Sequence, residues 1–383
     1  MQYIKIFAGI LFLAIATIGC RQATDKESTA QNQTPNYDIP TGKPEDVGFD
    51  RQIITELIDS IKSGFYPNRH SLLIFKDGKL VLEEYFSGKD ENWGDDIGII
   101  KHNDTVLHDM RSVSKSVVSA CIGIAIAQGK IKSVDQPVFD FFEDYNQYKN
   151  EGREELTIRH LLTMTSGLKW NEDVPYDNPE NSEIQMIQSG DGIGFVLSRE
   201  LLAKPGTVWN YNGGTTELLA ELIQRVSGKN IHEFATAYLF KPIGIEKSEW
   251  TISPSTNSPA AASGLRLTSR DMLKFGMLYH NDGKYGEEQI IPENWIQESF
   301  KSDLELPFGG YGFQFWIYNF DVNGNQLKIP TAVGNGDQRI YIDKENNLIV
   351  VTTAGNYNKW DIKNDANAIL RKIFGSLNLE ESQ

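Results

Sequence analysis

Cysteine is nearly absent from this sequence: its 383 residues contain two, Cys20 and Cys121. A disulfide framework is therefore excluded as the source of stability. Cys121 lies in a strongly apolar helical stretch, where a buried and inert thiol is expected. Runs of Lys and Arg are also lacking, and the formal net charge is -15. Nucleic-acid binding is not indicated by such a balance, which speaks for solubility and not for fold. There is no Gly-x-Ser-x-Gly elbow, which argues against an α/β-hydrolase. No phosphate-cradling or dinucleotide-binding loop follows a plausible strand. The six His (His70, His102, His108, His160, His232 and His280) show neither His-x-x-x-His nor clustered Cys/His spacing. The sequence accordingly predicts no metal and no cofactor, and a metallohydrolase is disfavoured.

What is present begins with an apolar run from Ile6 to Ile18 behind Lys5, too short to span a bilayer comfortably and fitted to a signal peptide over residues 1–19. It ends at Thr17-Ile18-Gly19-Cys20, similar to a bacterial lipobox, with Thr17 where Leu is usual. Cys20 is the predicted lipidation site. Residues 20–43 then form a polar, flexible tether. No other segment is long and apolar enough for a membrane span, so the expectation is a chain anchored to the bacterial cell envelope through lipid, periplasmic or surface-facing.

From residue 44 onward the periodicity is that of a folded domain reaching to 374. Phe49–Lys62 has helical spacing, Ser71–Lys76 and Lys79–Phe86 flank an Asp77-Gly78 turn as a hairpin, and Ser112–Gln128 is a long helix closed by Gly129. Helices and irregular loops follow, including Thr157–Thr165 and Thr216–Val226. After the Leu267–Tyr279 helix, strands are predicted over Tyr311–Tyr318, Gln326–Ile329, Arg339–Asp343 and Leu348–Thr353, with a last helix over Ile362–Phe374. Strands at both ends and helices between predict an α+β fold. Its mixed part covers about 44–107 and 255–374, and its helical part about 108–254.

Three segments can carry chemistry. Serine is a weak nucleophile and needs a neighbouring base and a site for the developing oxyanion. Ser112-Val113-Ser114-Lys115 places a Ser and a Lys on one face at a helix start, where unpaired N–H groups and a positive field add to the site. A buried Lys whose charge is disfavoured can accept the serine proton. A second Ser-x-x-Lys, Ser166-Gly167-Leu168-Lys169, lies in a helix-ending loop, and context favours Ser112. For either Ser alone, a helix cap is the plain alternative. Tyr211, in Trp209-Asn210-Tyr211-Asn212-Gly213-Gly214, is either packing or a hydroxyl that ionises more easily beside an ammonium and relays protons. Gly334-Asn335-Gly336-Asp337-Gln338 is either a plain turn or a strand entry whose glycines admit a substrate and whose N–H groups, near Asp337 or Gln338, complete an oxyanion hole.

Ser112-x-x-Lys115, Tyr211 and the Gly-rich strand entry, together with Leu161–Leu168, Gly264–Met272 and Gly355-Asn356-Tyr357, resemble the class C β-lactamase-related serine hydrolases of the serine β-lactamase and penicillin-binding-protein superfamily. Among subgroups the likeness is to 6-aminohexanoate-dimer hydrolases and family VIII-type esterases, and it runs from about Pro44 to Phe374. It implies a β-lactamase/transpeptidase-like fold, an antiparallel sheet flanked by helices with an inserted helical part. The reaction implied is acylation of Ser112, with Lys115 and Tyr211 sharing the base role and Asn335, Gly336, Asp337 and Gln338 lining the substrate and oxyanion site. Small esters, amides or peptides are the implied substrates. Departures are Gly213 in place of the second Asn of Tyr-x-Asn, Gly334-Asn335-Gly336 in place of Lys-Thr-Gly, and Asp337 where a second Gly is common. Efficient β-lactam hydrolysis is not expected, because a cation that holds the β-lactam carboxylate is gone, with Arg339 a partial substitute. The alternatives are a catalytically weak cell-envelope binding protein on the same fold, or a β-lactamase or D-amino-acid peptidase. The loop from Trp170 to Gly194 is expected at the mouth of the site. Its Asp173, Asp177, Glu180, Glu183 and Asp191 either favour an amine-bearing substrate or form a solvated acidic surface.

Overall fold

The computed structural model describes residues 38–322 and 324–377. The predicted signal peptide, Cys20 and the tether up to residue 37 lie outside them. A seven-stranded antiparallel sheet runs in the order Gly309–Tyr311, Trp316–Val322, Asn325–Gly334, Gln338–Asp343, Leu348–Ala354, β1 (Arg69–Lys76) and β2 (Lys79–Tyr85). The hairpin near the chain's start thus completes a sheet otherwise built near its end. β1 lies antiparallel to Leu348–Ala354, in register from Leu72↔Thr352 to Lys76↔Leu348.

Both faces of this sheet are covered, which is why β1 reads as a continuous apolar run instead of an alternating one. Leu72 and Ile74 pack into a core shared with α1 (Arg51–Lys62) and the helix Ala366–Ser376. Leu73 and Phe75 point the other way, into the larger core that contains α2 (Val113–Ala127) and the helix Ser269–His280. Asp50 starts α1 by accepting the N–H groups of Gln52 (2.7 Å) and Ile53 (3.3 Å). Every residue of α2 from Val113 to Ala125 is buried, so this helix is apolar on all sides, as a central helix must be. It packs against the helix Gly213–Ser227, which follows Tyr211.

Two departures from the sequence reading have physical causes. Tyr311–Tyr318 is two strands with a turn between them, and Gln314 in that turn has φ +63°. Gln314 is a buried polar plug. Its amide donates to the Leu161 and Leu162 carbonyls at 3.0 and 3.2 Å, while its own carbonyl accepts the Ser116 hydroxyl of α2 at 2.6 Å. These bonds override the strand propensity of the flanking aromatics. The second departure is a ribbon, β3 (Ser87–Asn92) with β4 (Asp95–Lys101), whose charged and glycine-rich sequence hid its pairing. It leads to β5 (His108–Asp109), which pairs with Leu265–Leu267 just before Ser112.

Close packing of α2 is testable at Gly123, where an added Cβ would stand 2.6 to 2.8 Å from the Trp295 indole. Gly123→Val is expected to lower stability by about 1–3 kcal/mol through overpacking. Urea unfolding should show a lower midpoint with an unchanged slope, and an unchanged midpoint would contradict this contact.

Candidate active site

Ser112 stands at the N-cap position of α2 with φ -66° and ψ -6° and makes no capping hydrogen bond. Its hydroxyl is therefore available. Lys115 Nζ donates to Ser112 Oγ at 3.1 Å and to the Ala262 carbonyl at 2.9 Å, and Lys115 is only 1% exposed. Tyr211 completes the cluster. Its side chain hydrogen-bonds with Ser112, and its ring centroid lies 5.1 Å from Lys115 Nζ. The structure thus brings Ser112, Lys115 and Tyr211 together. The other Ser-x-x-Lys is divided: Ser166 Oγ accepts the Leu168 N–H at 3.3 Å, and Lys169 faces Glu200 at 3.5 Å.

The turn into Ser112 is held in an unusual backbone state. Arg111 has φ +48°, a region that costs a non-glycine residue about 1–3 kcal/mol. Its guanidinium is fixed by Asp109 (3.2 Å) and Glu91 (3.1 Å) and lies 4.5 Å over the Tyr357 ring. The Gly-rich segment meets this turn directly, because Gly334 is so near the Met110 carbonyl that no Cβ fits.

Among the described residues, the N–H groups of Ser112 and Asn335 have no backbone acceptor, whereas Gly336 is bridged antiparallel to Asn356. The Ser112 and Asn335 N–H groups are the candidate oxyanion donors. The expectation placed on Asp337 and Gln338 is corrected in position. The Asp337 N–H is taken by the Gly334 carbonyl at 3.2 Å. The Asp337 carboxylate is ion-paired with Arg69, faces Arg339 at 3.2 Å and accepts the Ala366 N–H at 2.9 Å. The Gln338 amide is stapled to the next strand, donating to the Ala354 carbonyl at 2.7 Å and accepting the Ala354 N–H at 3.0 Å. Arg339 is likewise engaged, donating to the carbonyls of Gly334 (3.2 Å) and Gln338 (2.9 Å). Among the described residues of this turn, Asn335 keeps a free backbone donor.

Glu172 and Glu217 were not anticipated, because nothing in their spacing marks them. Glu172 accepts the N–H of Gly213 and the indole N–H of Trp170. A Cβ on Gly213 would stand 2.9 Å from the Glu172 carboxylate and 3.0 Å from that of Glu183. Glycine replaces the second Asn of Tyr-x-Asn because two carboxylates fill that space. Burial, and then the Glu183 carboxylate, push Glu172 above the usual carboxylate range. Glu217 accepts the Ala262 N–H at 2.9 Å, so it fixes the residue whose carbonyl holds Lys115. Burial above all pushes Glu217 up to about 7. Burial, with help from Glu172, also pushes the Tyr211 phenol well above its ordinary range. Tyr211 is therefore a neutral phenol at neutral pH, and the expectation of easier ionisation beside Lys115 is corrected: burial, with the Glu172 carboxylate, disfavours the phenolate.

Cavities of about 270 and 250 Å³ both reach Ser112. The first is walled by Trp209, Tyr211, Trp316 and Trp360, and the second by Trp93, Tyr176, Ile184 and Ile187. From the acidic loop, Asp173 borders the first and Glu183 the second. Asp177 and Glu180 are exposed, and Asp191 caps the helix Gly192–Leu197 by accepting the Gly194 N–H. Away from the nucleophile, His70, His102 and His108 converge with Asp90. Sequence spacing hid that cluster because its members come from separate strands and a connecting loop.

This arrangement, with Ser-x-x-Lys opening a central helix beside an antiparallel sheet and a Tyr facing it, defines the β-lactamase/transpeptidase-like class. The profile of the Beta-lactamase family matches residues 70–371, and the chain belongs to that family. It is similar to the 6-aminohexanoate-dimer hydrolase of Paenarthrobacter ureafaciens, 24% identical over 268 residues that cover 64% of this chain and 65% of the relative. The match therefore spans just under two thirds of that relative's length. Among solved structures, EstCE1, "a hydrolase with promiscuous acyltransferase activity", has a TM-score of 0.66 at 14% identity and covers 85% of this chain and 98% of its own. The octameric penicillin-binding protein homologue from Pyrococcus abyssi has a TM-score of 0.62 at 20% identity, covering 83% and 76%. At these identities the likeness is one of fold.

Glu217 makes stability depend on pH. Its folded value of about 7 exceeds the ordinary 4.5, so the folded chain holds the extra proton between them. This contribution is complete below about 4.5 and is lost as pH rises through about 7, at up to about 1.4 kcal/mol per unit. Glu217→Gln keeps an acceptor for Ala262 and should flatten the fall in the urea midpoint between pH 5 and 8. The same slope in variant and parent would contradict the assignment.

Proposed function

We propose that the chain is a serine hydrolase that cleaves an ester or amide bond through an acyl-enzyme on Ser112. The observation that carries this reading is the 3.1 Å contact of a buried Lys115 Nζ with a Ser112 hydroxyl that caps no helix. A binding protein has no chemical need for such a pair with a neutral Tyr beside it. Lys115 takes the hydroxyl proton while Ser112 Oγ bonds to the substrate carbonyl carbon. The carbonyl oxygen becomes the oxyanion and is held by the N–H groups of Ser112 and Asn335. Tyr211 passes a proton to the leaving alcohol or amine as its bond to carbon breaks, and Lys115 replenishes it. Water then attacks the ester on Ser112 and gives its proton to the same pair, which returns it to Ser112 Oγ as the ester bond breaks and the acid leaves.

The two cavities on either side of Ser112 supply separate places for acyl and leaving groups, and their Trp and Tyr walls favour partly apolar substrates. Arg339, already bound to Asp337 and two carbonyls, is a poor replacement for the missing carboxylate-holding cation. Esters and small amides are therefore expected to turn over faster than β-lactams. A lipid-anchored cell-envelope location is part of the proposal and rests on the N-terminal sequence around Cys20.

The test is intact mass and peptide mapping after treatment with a fluorophosphonate. One adduct per chain on Ser112 is expected, absent in Ser112→Ala, formed at least about 100-fold more slowly in Lys115→Ala, and unchanged in Ser166→Ala. A folded protein that takes no adduct would leave a non-catalytic binding protein as the better reading, and labelling of Ser166 would mean that the wrong pair was chosen.

A further inference from the structure

A second cluster of chemistry-bearing side chains lies behind the turn that leads to Ser112. His70 comes from β1, Asp90 from β3, His102 from the segment just after β4, and His108 from β5. All four are buried, with exposures of 0%, 2%, 6% and 1%. One ligand atom from each lies within 4.8 Å of the others.

The hydrogen bonds around the cluster define one arrangement in which the inner nitrogens are bare. His108 Nδ1 lies 3.0 Å from the Asp109 carbonyl, which only accepts, so Nδ1 carries the proton and Nε2 a lone pair. Asn68 is oriented by Lys89, which receives from Nδ2 at 2.9 Å and donates to Oδ1 at 3.0 Å. His70 Nε2 faces that Oδ1 at 3.4 Å, and the tautomer that donates there leaves Nδ1 bare. In that tautomer His70 Nδ1 and His108 Nε2, 2.8 Å apart, present two lone pairs to each other. Asp90 Oδ1 already accepts from the Tyr357 hydroxyl and the Glu91 N–H, both at 2.9 Å. It lies 3.6 Å from His108 Nε2 and 3.9 Å from His70 Nδ1, and Oδ2 lies 3.8 Å from His102 Nε2. Asp90 Oδ2 and His102 Nε2 have no hydrogen-bond partner. Buried polar atoms left this way are costly, and a cation that accepts all four lone pairs resolves every one of these contacts.

We propose that His70, Asp90, His102 and His108 form a closed four-ligand site for a divalent transition metal, zinc by its donor set. Tetrahedral zinc with bonds of about 2.0–2.2 Å needs ligand atoms about 3.3–3.6 Å apart. The separations lie around that range: 2.8 Å between His70 Nδ1 and His108 Nε2, 3.9 and 3.6 Å from these to Asp90 Oδ1, and 3.8 Å from His102 Nε2 to Asp90 Oδ2. The outer contacts of a metal site are present as well: Asp109 behind His108, Asn68 behind His70, and Tyr357 and Glu91 behind Asp90. With four protein ligands and no open position, the ion is structural and takes no part in the acyl transfer. It ties β1, β3 and β5 together, and β5 is followed at once by Met110-Arg111-Ser112. Two glycines serve the same packing, since a Cβ on Gly88 or Gly355 would collide with the His70 ring.

The experiment uses the full chain, stripped with a chelator and titrated with Zn²⁺ alone. Elemental analysis after desalting should give one zinc per chain, Co²⁺ in its place should show the visible bands of a tetrahedral ion, and refilling should raise the thermal midpoint. His102→Gln and Asp90→Asn should each weaken zinc binding at least about 100-fold and abolish the midpoint shift. His280→Gln, outside the cluster, should still bind one. Serine labelling by fluorophosphonate in the stripped chain separates this proposal from the catalytic one, since zinc binding does not require it. A wild-type chain that takes up less than about 0.1 equivalent, or equal stoichiometry in both cluster variants, would overturn the site and leave a shared proton between His70 and His108.

Discussion

The contact on which the site depends is a single donor shared between two acceptors: Lys115 Nζ, bound to Ser112 Oγ and to the Ala262 carbonyl. A buried Lys has no water to satisfy it, so its position is set by the few polar atoms in reach. The Ala262 carbonyl holds it from one side, and Glu217 holds residue Ala262 through its N–H. The helix Gly213–Ser227 therefore positions the base as well as Tyr211, because it carries Glu217 and begins two residues after the Tyr. Apolar burial of α2 on all sides makes this precise, for a helix with no solvent face has little freedom to turn about its axis.

Ser112 must also meet the sheet, and there glycine and buried charge act together. Gly334 lets the strand edge close on the Met110 carbonyl. The next turn places Gly336 at φ +89° and Asp337 at φ +78°. Asp337, in the turn before the strand Gln338–Asp343, sits between Arg69 of β1 and Arg339 of that strand, a buried charge group that gains its value only while complete. Through Arg69 the Gly-rich turn is tied to the first strand of the sheet. Sheet closure between the two ends of the chain and placement of the candidate oxyanion donors are one structural event.

Much of this was legible in the sequence, and the parts that were not share a cause. Helices with clear periodicity and a cap or a closing glycine, such as Phe49–Lys62 and Ser112–Gln128, differ from the structure by one or two residues at their ends. The strand read as Gln326–Ile329 runs on to Gly334, because Pro330 looks like a stop yet fits opposite Ile317 in the ladder. The Ser-x-x-Lys pair was readable because its three-residue spacing is local. Glu172 and Glu217 were invisible because their roles depend on contacts with Gly213 and Ala262, and no local pattern encodes those. The His cluster was missed for the same reason: its ligands are 20, 12 and 6 residues apart in sequence order and meet only after β1, β3 and β5 are assembled. Neutral Tyr211 could not be foreseen either, since burial is a property of the fold.

The central claim is that substrate carbon becomes covalently bound to Ser112 during turnover. Rapid-quench mass spectrometry with an activated short-chain ester tests it most directly. The account predicts an acyl group on the peptide containing Ser112, forming within the first turnover at up to one per chain and disappearing as substrate is exhausted. Turnover that proceeds with no acyl-peptide at any time, or with the acyl group on another residue, would contradict it.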